Sequence, residues 1–274
     1  MQGVILDQAT GIPGFALSEL MQFIMIFFFC ALRIGAFLLA SPFFGARSVP
    51  LQVRIVTGMV LSFVFFGRID PMPILNADLY DLVRMITVEL FIGISMGLIV
   101  SILFASVALA GEKIAASGGL GFAAQVDPTS GGQTPVVSNI LTLFLIVIFL
   151  SLDGHLALIR AIYASYDAFP IGGTVPFREM SQYGIDAAGE MFYIACVIML
   201  PVVALLLLSN FAIGVVTRSA PQLNLFSFGF PMTMLVVFIS LYASATPLGH
   251  AMEDLTGFAL DYIGGFLIGG RNGE

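Results

Sequence analysis

The stretch GEKIAASGGLGFAAQVDPTSGGQTP, residues 111–135, interrupts a chain that is otherwise almost wholly apolar. Long hydrophobic runs lie on both sides of it. Backbone that makes neither helical nor barrel hydrogen bonds is tolerated at membrane depth only where it is buried in protein or lines an aqueous path. We therefore interpret this stretch as a candidate gate within a helical membrane protein.

The composition of the whole chain indicates an integral membrane protein. Hydrophobic residues make up 59% of the sequence, charged residues make up 10%, and the mean hydropathy is +1.04, which is far from the usage of soluble domains. The 274 residues suffice for about six spans of roughly 20 residues each, so we expect one compact membrane domain over residues 1–274. The formal charge of −7 provides no basic face, which excludes a nucleic-acid-binding protein.

Six apolar runs follow one another along the chain and predict an all-α membrane protein of about six apolar helices. The runs cover approximately residues 15–40, 51–67, 85–110, 136–152, 191–216 and 232–245. The positive-inside rule gives no orientation, because the basic residues of the loops divide almost evenly between the two sides. This balance favours a molecule in which some of the runs do not cross the bilayer.

Two further segments have apolar residues on one helical face only. The first face comprises Leu156, Ile159, Tyr163, Tyr166 and Phe169, and the second comprises Leu248, Met252, Leu255, Phe258, Tyr262 and Phe266. A helix with one apolar face packs along an interface or against a partner. We predict two amphipathic helices that do not span the membrane.

Small residues recur every four positions in the third apolar run, at Gly93, Gly97, Ser101 and Ala105. Such a stripe lies on one face of a helix and allows a neighbouring backbone to approach closely. We predict that this face packs against protein and not against lipid.

Two charged residues, Arg33 and Glu89, lie inside apolar runs. An arginine near the middle of a membrane costs about 2.5 to 3.5 kcal/mol on insertion scales, so it has to be paired or hydrated. Glu89 is the candidate partner of Arg33. The sequence leaves two interpretations open, a charge that faces a pore or an assembly partner, and a buried structural ion pair.

No pattern in the sequence predicts catalysis, a cofactor or a metal. The tripeptide DGH at 153–155 suggests acid–base chemistry, but His250 is the only other histidine and neither histidine has the spacing of a metal ligand. A capping or interfacial role is favoured. Gly119 and Gly121 do not form a dinucleotide-binding motif, because Ala124 occupies the third glycine position and no strand precedes them. We expect no catalytic, cofactor-binding or metal-ligating residue, and hence no enzyme.

Two turn segments resemble each other: RSVPLQ at 47–52 and RSAPQL at 218–223 each follow a long apolar run. Transporters often contain internal repeats, and chance similarity over six residues is the competing explanation. If the repeat is real, two hairpins present similar tips. The residues that mark these tips are Arg47, Pro50, Arg218, Pro221 and Asn224.

Four segments, in this order along the chain, resemble one known family. They are RIGAFLLASPFFGARSVPLQVR at 33–54, GGLGFAAQVDPTSGGQTPVVS at 118–138, IFLSLDGH at 148–155 and RSAPQLNLFSFGFP at 218–231. Together they resemble the FliR family of bacterial flagellar export-gate proteins, which is related to the T component of virulence type III secretion. The sequences GLGFAAQVDP and DGHL favour the flagellar branch.

This resemblance implies a multi-pass subunit of the bacterial inner membrane, in the flagellar basal body. Members of the family assemble with FliP and FliQ into a helically arranged gate, and FlhB surrounds its cytoplasmic entrance. The apolar helices would then pack as tilted hairpins within a hetero-oligomer, in contact with membrane lipid. Unfolded flagellar proteins would pass through the gate, driven by the proton motive force and an associated ATPase.

The resemblance also implies a role for the glycine-rich stretch. The family's plug loop corresponds to about residues 111–128, with Phe122 as the bulky stopper and Asp127–Pro128 as its turn. The glycines of this loop include Gly111, Gly118, Gly119 and Gly121, and glycine reaches the unusual backbone angles that a moving loop visits. An ordinary flexible Gly/Ser connector is the alternative.

Three other functions compete with a flagellar export subunit. The virulence homologue shares the family. A self-contained secondary transporter would place its substrate between broken helices, and only Pro201 and Asn210 in the fifth run favour it. A membrane-embedded enzyme would need a carboxylate or histidine cluster that the sequence lacks.

Overall fold

The computed structural model describes residues 17–46, 49–69, 72–75, 77–119, 136–220 and 229–271. The regular structure of these residues is entirely helical, which confirms the all-α prediction. The helices, numbered along the chain, are α1 (Leu17–Ala40), α2 (Leu51–Phe65), α3 (Met72–Leu75), α4 (Leu79–Ser117), α5 (Val136–Ser151), α6 (Gly154–Ala168), α7 (Phe177–Ser219), α8 (Phe230–Ala243) and α9 (Ala245–Arg271). One 3₁₀ turn, Phe66–Arg68, follows α2.

Not every apolar run forms a helix that could cross a membrane on its own. Within the described ranges, α1, α4 and α7 are each long and apolar enough. Two bent pairs, α5 with α6 at 69° and α8 with α9 at 61°, raise the number to five if each pair counts as one span. Helix α2 has only 15 residues, about 22 Å, and is shorter than the hydrocarbon core of about 30 Å.

Two helices are much longer than the apolar runs from which they were predicted. Helix α4 has 39 residues and α7 has 43, so they extend about 58 and 64 Å, roughly twice the thickness of a hydrocarbon core. The apolar runs at 85–110 and 191–216 form only their middle parts. Pro201 lies inside α7 without ending the helix.

The two predicted amphipathic segments form helices α6 and α9. In α6 the buried apolar face starts at Leu158 and Ile162, and Leu156 is exposed, so the predicted face was wrong at its first position. In α9 the predicted residues Leu248, Met252, Leu255 and Phe266 are buried. The predicted face was wrong at Phe258, which is 37% exposed, and Tyr262 is half-buried; Ala259 and Ile263 continue the buried face instead.

The chain divides into two compact units. Unit 1 comprises Met1–Ser101, Leu156–Gly184 and Tyr262–Glu274, and unit 2 comprises Ile102–His155 and Ile185–Asp261. Unit 1 contains α1, α2 and α6, and unit 2 contains α5 and α8. The single membrane domain stays a prediction.

Aromatic contacts hold the last turns of α9 within unit 1. The ring of Phe266 lies 5.8 Å from that of Phe169 and 5.7 Å from that of Tyr183, centroid to centroid. The Tyr183 hydroxyl donates to the Gly265 carbonyl at 3.1 Å, and the Tyr262 hydroxyl donates to the Tyr183 carbonyl at 3.1 Å. Buried aromatic rings contribute large apolar areas, and their polar groups here have hydrogen-bond partners.

Candidate functional site

The structure brings together the two charged residues of the apolar runs. Arg33 of α1 and Glu89 of α4 form a bidentate ion pair in unit 1, with 2.6 Å between Nε and Oε2 and 2.9 Å between Nη2 and Oε1. Neither side chain has exposed surface. Two parallel hydrogen bonds of this kind are the strongest arrangement of an arginine with a carboxylate.

The remaining donors of Arg33 close the end of helix α6. Its Nη1 donates to the carbonyl and the hydroxyl oxygens of Ser165, at 2.9 and 3.1 Å, and its Nη2 donates to the carbonyl of Phe169 at 2.8 Å. The Ser165 carbonyl also accepts the backbone N–H of Phe169 at 2.8 Å, and carbonyls at the end of a helix carry partial negative charge that favours a cation. All five N–H groups of the guanidinium are thus used.

Tyr166 completes this cluster, which consists of Arg33, Glu89, Ser165, Tyr166 and Phe169. The Arg33 guanidinium carbon lies 4.2 Å from the centroid of the Tyr166 ring, a cation–π distance. The Tyr166 hydroxyl donates to the carbonyl of Cys30 in α1 at 3.2 Å. The cluster therefore links α1, α4 and α6, and its geometry favours the structural interpretation of the ion pair.

The stripe of small residues on α4 faces α1 of the same chain. A Cβ atom added at Gly93 would lie 2.9 Å from Ala36 Cβ, and one added at Gly97 would lie 2.6 Å from Ala40 Cβ. Both distances are too short for real side chains. Ser101 Oγ donates to the Ala40 carbonyl at 2.6 Å. The fourth residue, Ala105, is half-buried and belongs to unit 2.

The glycine-rich stretch begins within α4. Gly111 lies in the last two turns of that helix, and Gly118 and Gly119 follow its end. Gly119 has φ of +72°, the left-handed conformation in which glycine commonly ends a helix. The other predicted plug residues, Gly121, Phe122, Asp127 and Pro128, lie outside the described residues.

Both helices next to the stretch are anchored in unit 2. A Cβ atom at Gly111 would lie 2.8 Å from the backbone nitrogen of Ser138, so the backbones of α4 and α5 are in direct contact. A Cβ atom at Gly118 would overlap the side chain of Val237 in α8. Asn210 Nδ2 of α7 donates to the Ser117 carbonyl at 3.1 Å. The two ends of the stretch are therefore held by α4, α5, α7 and α8.

From the sequence alone, Asn210 favours a secondary transporter with a broken helix. In the structure it binds the last carbonyl of α4. The signal was present in the sequence, because asparagine in an apolar helix commonly forms a hydrogen bond to a neighbouring helix. Its partner could not be read from the sequence, since Ser117 lies 93 residues away.

The turn segments are described only in part. Pro50 precedes the first residue of α2, with φ −57° and ψ 145°, and Arg218 lies in the last turn of α7. Arg47, Pro221 and Asn224 lie outside the described residues. The internal repeat stays a prediction.

Arg54 is a residue to which the sequence reasoning assigned no role. Its Nη2 donates to the carbonyls of Ala46 and Val49, at 2.5 and 3.0 Å. The side chain thereby closes the turn between α1 and α2. A basic residue one turn after a proline-containing turn is the only signal that the sequence offers.

The tripeptide at 153–155 forms the bend between α5 and α6. Asp153 has φ of +55°, and a Cβ atom at Gly154 would collide with the Phe149 side chain. His155 Nδ1 is buried and has no hydrogen-bond partner in the described part of the chain. Across the described ranges, no three His, Cys, Asp or Glu residues lie close enough to hold a metal ion. Cys30 is a buried free thiol and Cys196 an exposed one.

Comparison with known proteins gives one consistent result. The family model described as "Bacterial export proteins, family 1" matches residues 24–258. The chain is 32% identical to the flagellar biosynthetic protein FliR of Escherichia coli, over 84% of this chain and 88% of that protein. It is 34% identical to the FliR of Bacillus subtilis, over 80% and 84%, and 30% identical to that of Aquifex aeolicus, over 81% and 86%.

Proposed function

We infer the function of this chain from its family: the chain belongs to family 1 of the bacterial export proteins, together with the flagellar FliR proteins. We propose that it is a non-enzymatic component of the flagellar type III export apparatus. In this proposal it forms, with FliP and FliQ, the inner-membrane pore through which unfolded flagellar proteins are exported, and FlhB lies at its cytoplasmic entrance. The match over residues 24–258 is the observation that carries the proposal.

We propose further that residues 111–128 act as the plug of that pore, with Phe122 as the stopper. The anchoring of the stretch supports this assignment. Gly111 of α4 contacts Ser138 of α5, and Asn210 binds the Ser117 carbonyl at the end of α4. The chain between α4 and α5 therefore starts and ends at fixed points. A closing element needs fixed ends, because a bulky side chain can block a channel only from a defined position.

The alternatives are less well supported. The relatives named above are flagellar proteins, which favours the flagellar branch over the virulence branch. A secondary transporter binds its substrate between broken helices, but Pro201 lies in the continuous helix α7, and Asn210 is engaged with α4. Neither residue therefore marks a break.

Deletion of residues 118–122 tests the plug. We expect small solutes to leak across the inner membrane of cells that express the deletion variant, measured as conductance or as solute sensitivity. Phe122→Ala should leak in the same direction while leaving the chain length unchanged. Phe144→Ala is the matched control, since Phe144 is an exposed phenylalanine of α5. Unchanged conductance in both variants, at normal protein levels, would refute the plug.

The mass of the detergent-extracted particle separates the pore from the transporter. A gate subunit should be extracted in a large hetero-oligomer that contains FliP and FliQ. A stable monomer or dimer that moves a small substrate after reconstitution would contradict the proposed assembly. These two experiments are independent, so the plug can fail while the assembly stands.

A further inference from the structure

A groove between α1 and α2 in unit 1 has no role in the proposed function. It encloses a cavity of about 200 Å³ and is lined by aliphatic side chains of α1, from Ala31 to Leu39, and of α2, from Leu51 to Met59. Arg54 is the only charged residue among the described residues that line it. The groove is thus almost entirely apolar, with one cationic side chain.

Two glycines on facing helices create this space. A Cβ atom at Gly35 would meet nothing within 4 Å, and one at Gly58 would meet only Leu38 Cδ1, at 3.7 Å. The cavity is larger than an apolar cavity of roughly 150 Å³ that stays free of water and binds benzene. The space is therefore large enough for part of a hydrocarbon chain.

The groove is open along its side. Leu39, Ile55 and Met59 are 56%, 47% and 53% exposed, although each of them also lines the cavity. A long hydrocarbon chain could enter laterally between α1 and α2. Because α1 is apolar enough to cross a membrane, hydrocarbon chains are the surroundings that its exposed face would meet.

Arg54 supplies the positive charge of the groove. Its Nη2 is engaged by the carbonyls of Ala46 and Val49, but its Nε–H is buried and lacks an acceptor in the described part of the chain. A buried donor without an acceptor is unfavourable. Arg54 also lies in the first turn of α2, where backbone N–H groups and the helix dipole favour an anion.

The polar and apolar parts of the groove are ordered along the membrane-capable segment of α1. That segment covers Leu20–Ala40. The groove extends from Leu39, close to its end, back to Ala31 near its middle, about 12 Å along the helix axis. Arg54 follows the turn that begins at Ser41. A ligand with an anionic head beside Arg54 would point its hydrocarbon tail towards the middle of the span.

We propose that this groove binds an anionic phospholipid, with one acyl chain between α1 and α2 and the phosphate against Arg54. A phospholipid in one leaflet has this order of charge and hydrocarbon. Charge complementarity selects the anionic headgroup, and the cavity left by Gly35 and Gly58 receives the chain.

Lipid binding to the full-length chain in its detergent-extracted assembly tests the proposal. Native mass spectrometry would measure the retention of added phosphatidylglycerol and of diacylglycerol, which has the same acyl chains but no phosphate. We expect phosphatidylglycerol to be retained about tenfold more strongly, the size expected for one charge-assisted hydrogen bond. Arg54→Gln should remove this preference, and Gly35→Leu, which fills the cavity, should lower the retention of both lipids.

Two control variants isolate the groove from general effects. Arg160→Gln removes an exposed arginine of α6, and Gly214→Leu fills open space at a glycine of α7; neither should change lipid retention. If Arg54→Gln does not fold, Arg54→Lys keeps the positive charge but lacks the planar guanidinium that matches a phosphate, and it should reduce the preference partially.

Four results would overturn the proposal. Equal retention of the two lipids by the unaltered chain would show that the phosphate does not bind Arg54. Unchanged retention in Gly35→Leu would place the lipid elsewhere. Displacement of the bound species by inorganic phosphate alone, or photo-crosslinking from position 35 to another protein subunit in place of lipid, would identify a different occupant.

Discussion

Arg33 and Glu89, 56 residues apart in the sequence, share two hydrogen bonds in unit 1 and have no exposed side-chain surface. The guanidinium also binds two carbonyls at the end of α6. A buried ion pair is not by itself evidence of stability, because desolvation opposes the attraction between the charges. Here the pair has a second consequence, since it fixes α6 to α1 and α4.

Replacing Glu89 with leucine should strongly destabilise the chain. The substitution leaves the Arg33 charge buried without its partner, which costs about 3 to 5 kcal/mol. We expect little folded protein in the membrane and a lowered midpoint of thermal unfolding in detergent. Asp81→Asn is the matched control, because its ion pair with Arg84, at 3.8 Å, is about 40% exposed on both sides and such pairs contribute about 0 to 1 kcal/mol. Equal effects of the two substitutions would contradict the role of the cluster.

Gly97→Leu should disrupt packing within the chain before it affects assembly. The stripe was predicted to face protein, and its first three residues contact α1. A side chain at Gly97 would collide with Ala40, so we expect a reduced amount of folded chain in the membrane. Gly214→Leu introduces the same side chain where nothing lies within 4 Å of the added Cβ, and it should be tolerated. Normal folding of Gly97→Leu with loss of partner subunits would show that the stripe faces a partner.

Asn210→Leu should loosen the end of α4. The substitution removes the donor to the Ser117 carbonyl, and hydrogen bonds between membrane helices contribute about 0.6 kcal/mol on average and up to about 1.7 kcal/mol. If the stretch after α4 is a plug, we expect a small-solute leak with little loss of protein. The control is Thr217→Val, whose hydroxyl binds Gly214 within its own helix. A leak of the same size in both variants would exclude a specific role for Asn210.

His155→Gln should leave export near normal. The ring nitrogen Nδ1 of His155 has no hydrogen-bond partner in the described part of the chain, and no metal-binding group of three residues is found across the described ranges. The substitution therefore removes no hydrogen bond from Nδ1. Secretion of flagellar proteins and swimming motility measure the outcome, and a collapse of secretion at normal protein levels would show that the histidine has a chemical function.

The sequence predicted the helices but not their extent. Apolar runs identify residues that avoid water, so they located the middles of α4 and α7. Polar residues such as Asp81 and Lys113 continue α4 beyond its apolar part. Hydropathy alone does not identify such residues as helical. Helix α2 is apolar enough but only 15 residues long, so the hydropathy of a run does not by itself indicate a span.

The candidate site could be predicted only where side-chain chemistry demanded a partner. An arginine in an apolar run requires an acceptor, and Glu89 was the available carboxylate. The sequence could not identify the carbonyls of Ser165 and Phe169 as partners of Arg33. Every residue has a carbonyl, and these two lie 132 and 136 residues from Arg33. For the same reason the contact of Asn210 with Ser117 appeared only in the structure.

The contact between Gly111 and Ser138 has a consequence for how such a chain can vary. It holds the last turns of α4 against the start of α5, so the chain that connects these two helices joins two points fixed by backbone packing. The free-energy cost of closing a flexible segment comes from lost chain entropy and grows with the logarithm of the segment's length. Doubling the length therefore adds only about 0.6 kcal/mol to this cost. Insertions or deletions between the two anchors should therefore be tolerated thermodynamically, while any side chain at position 111 would separate the anchors themselves. The length of the glycine-rich stretch and the stability of the fold can thus change independently.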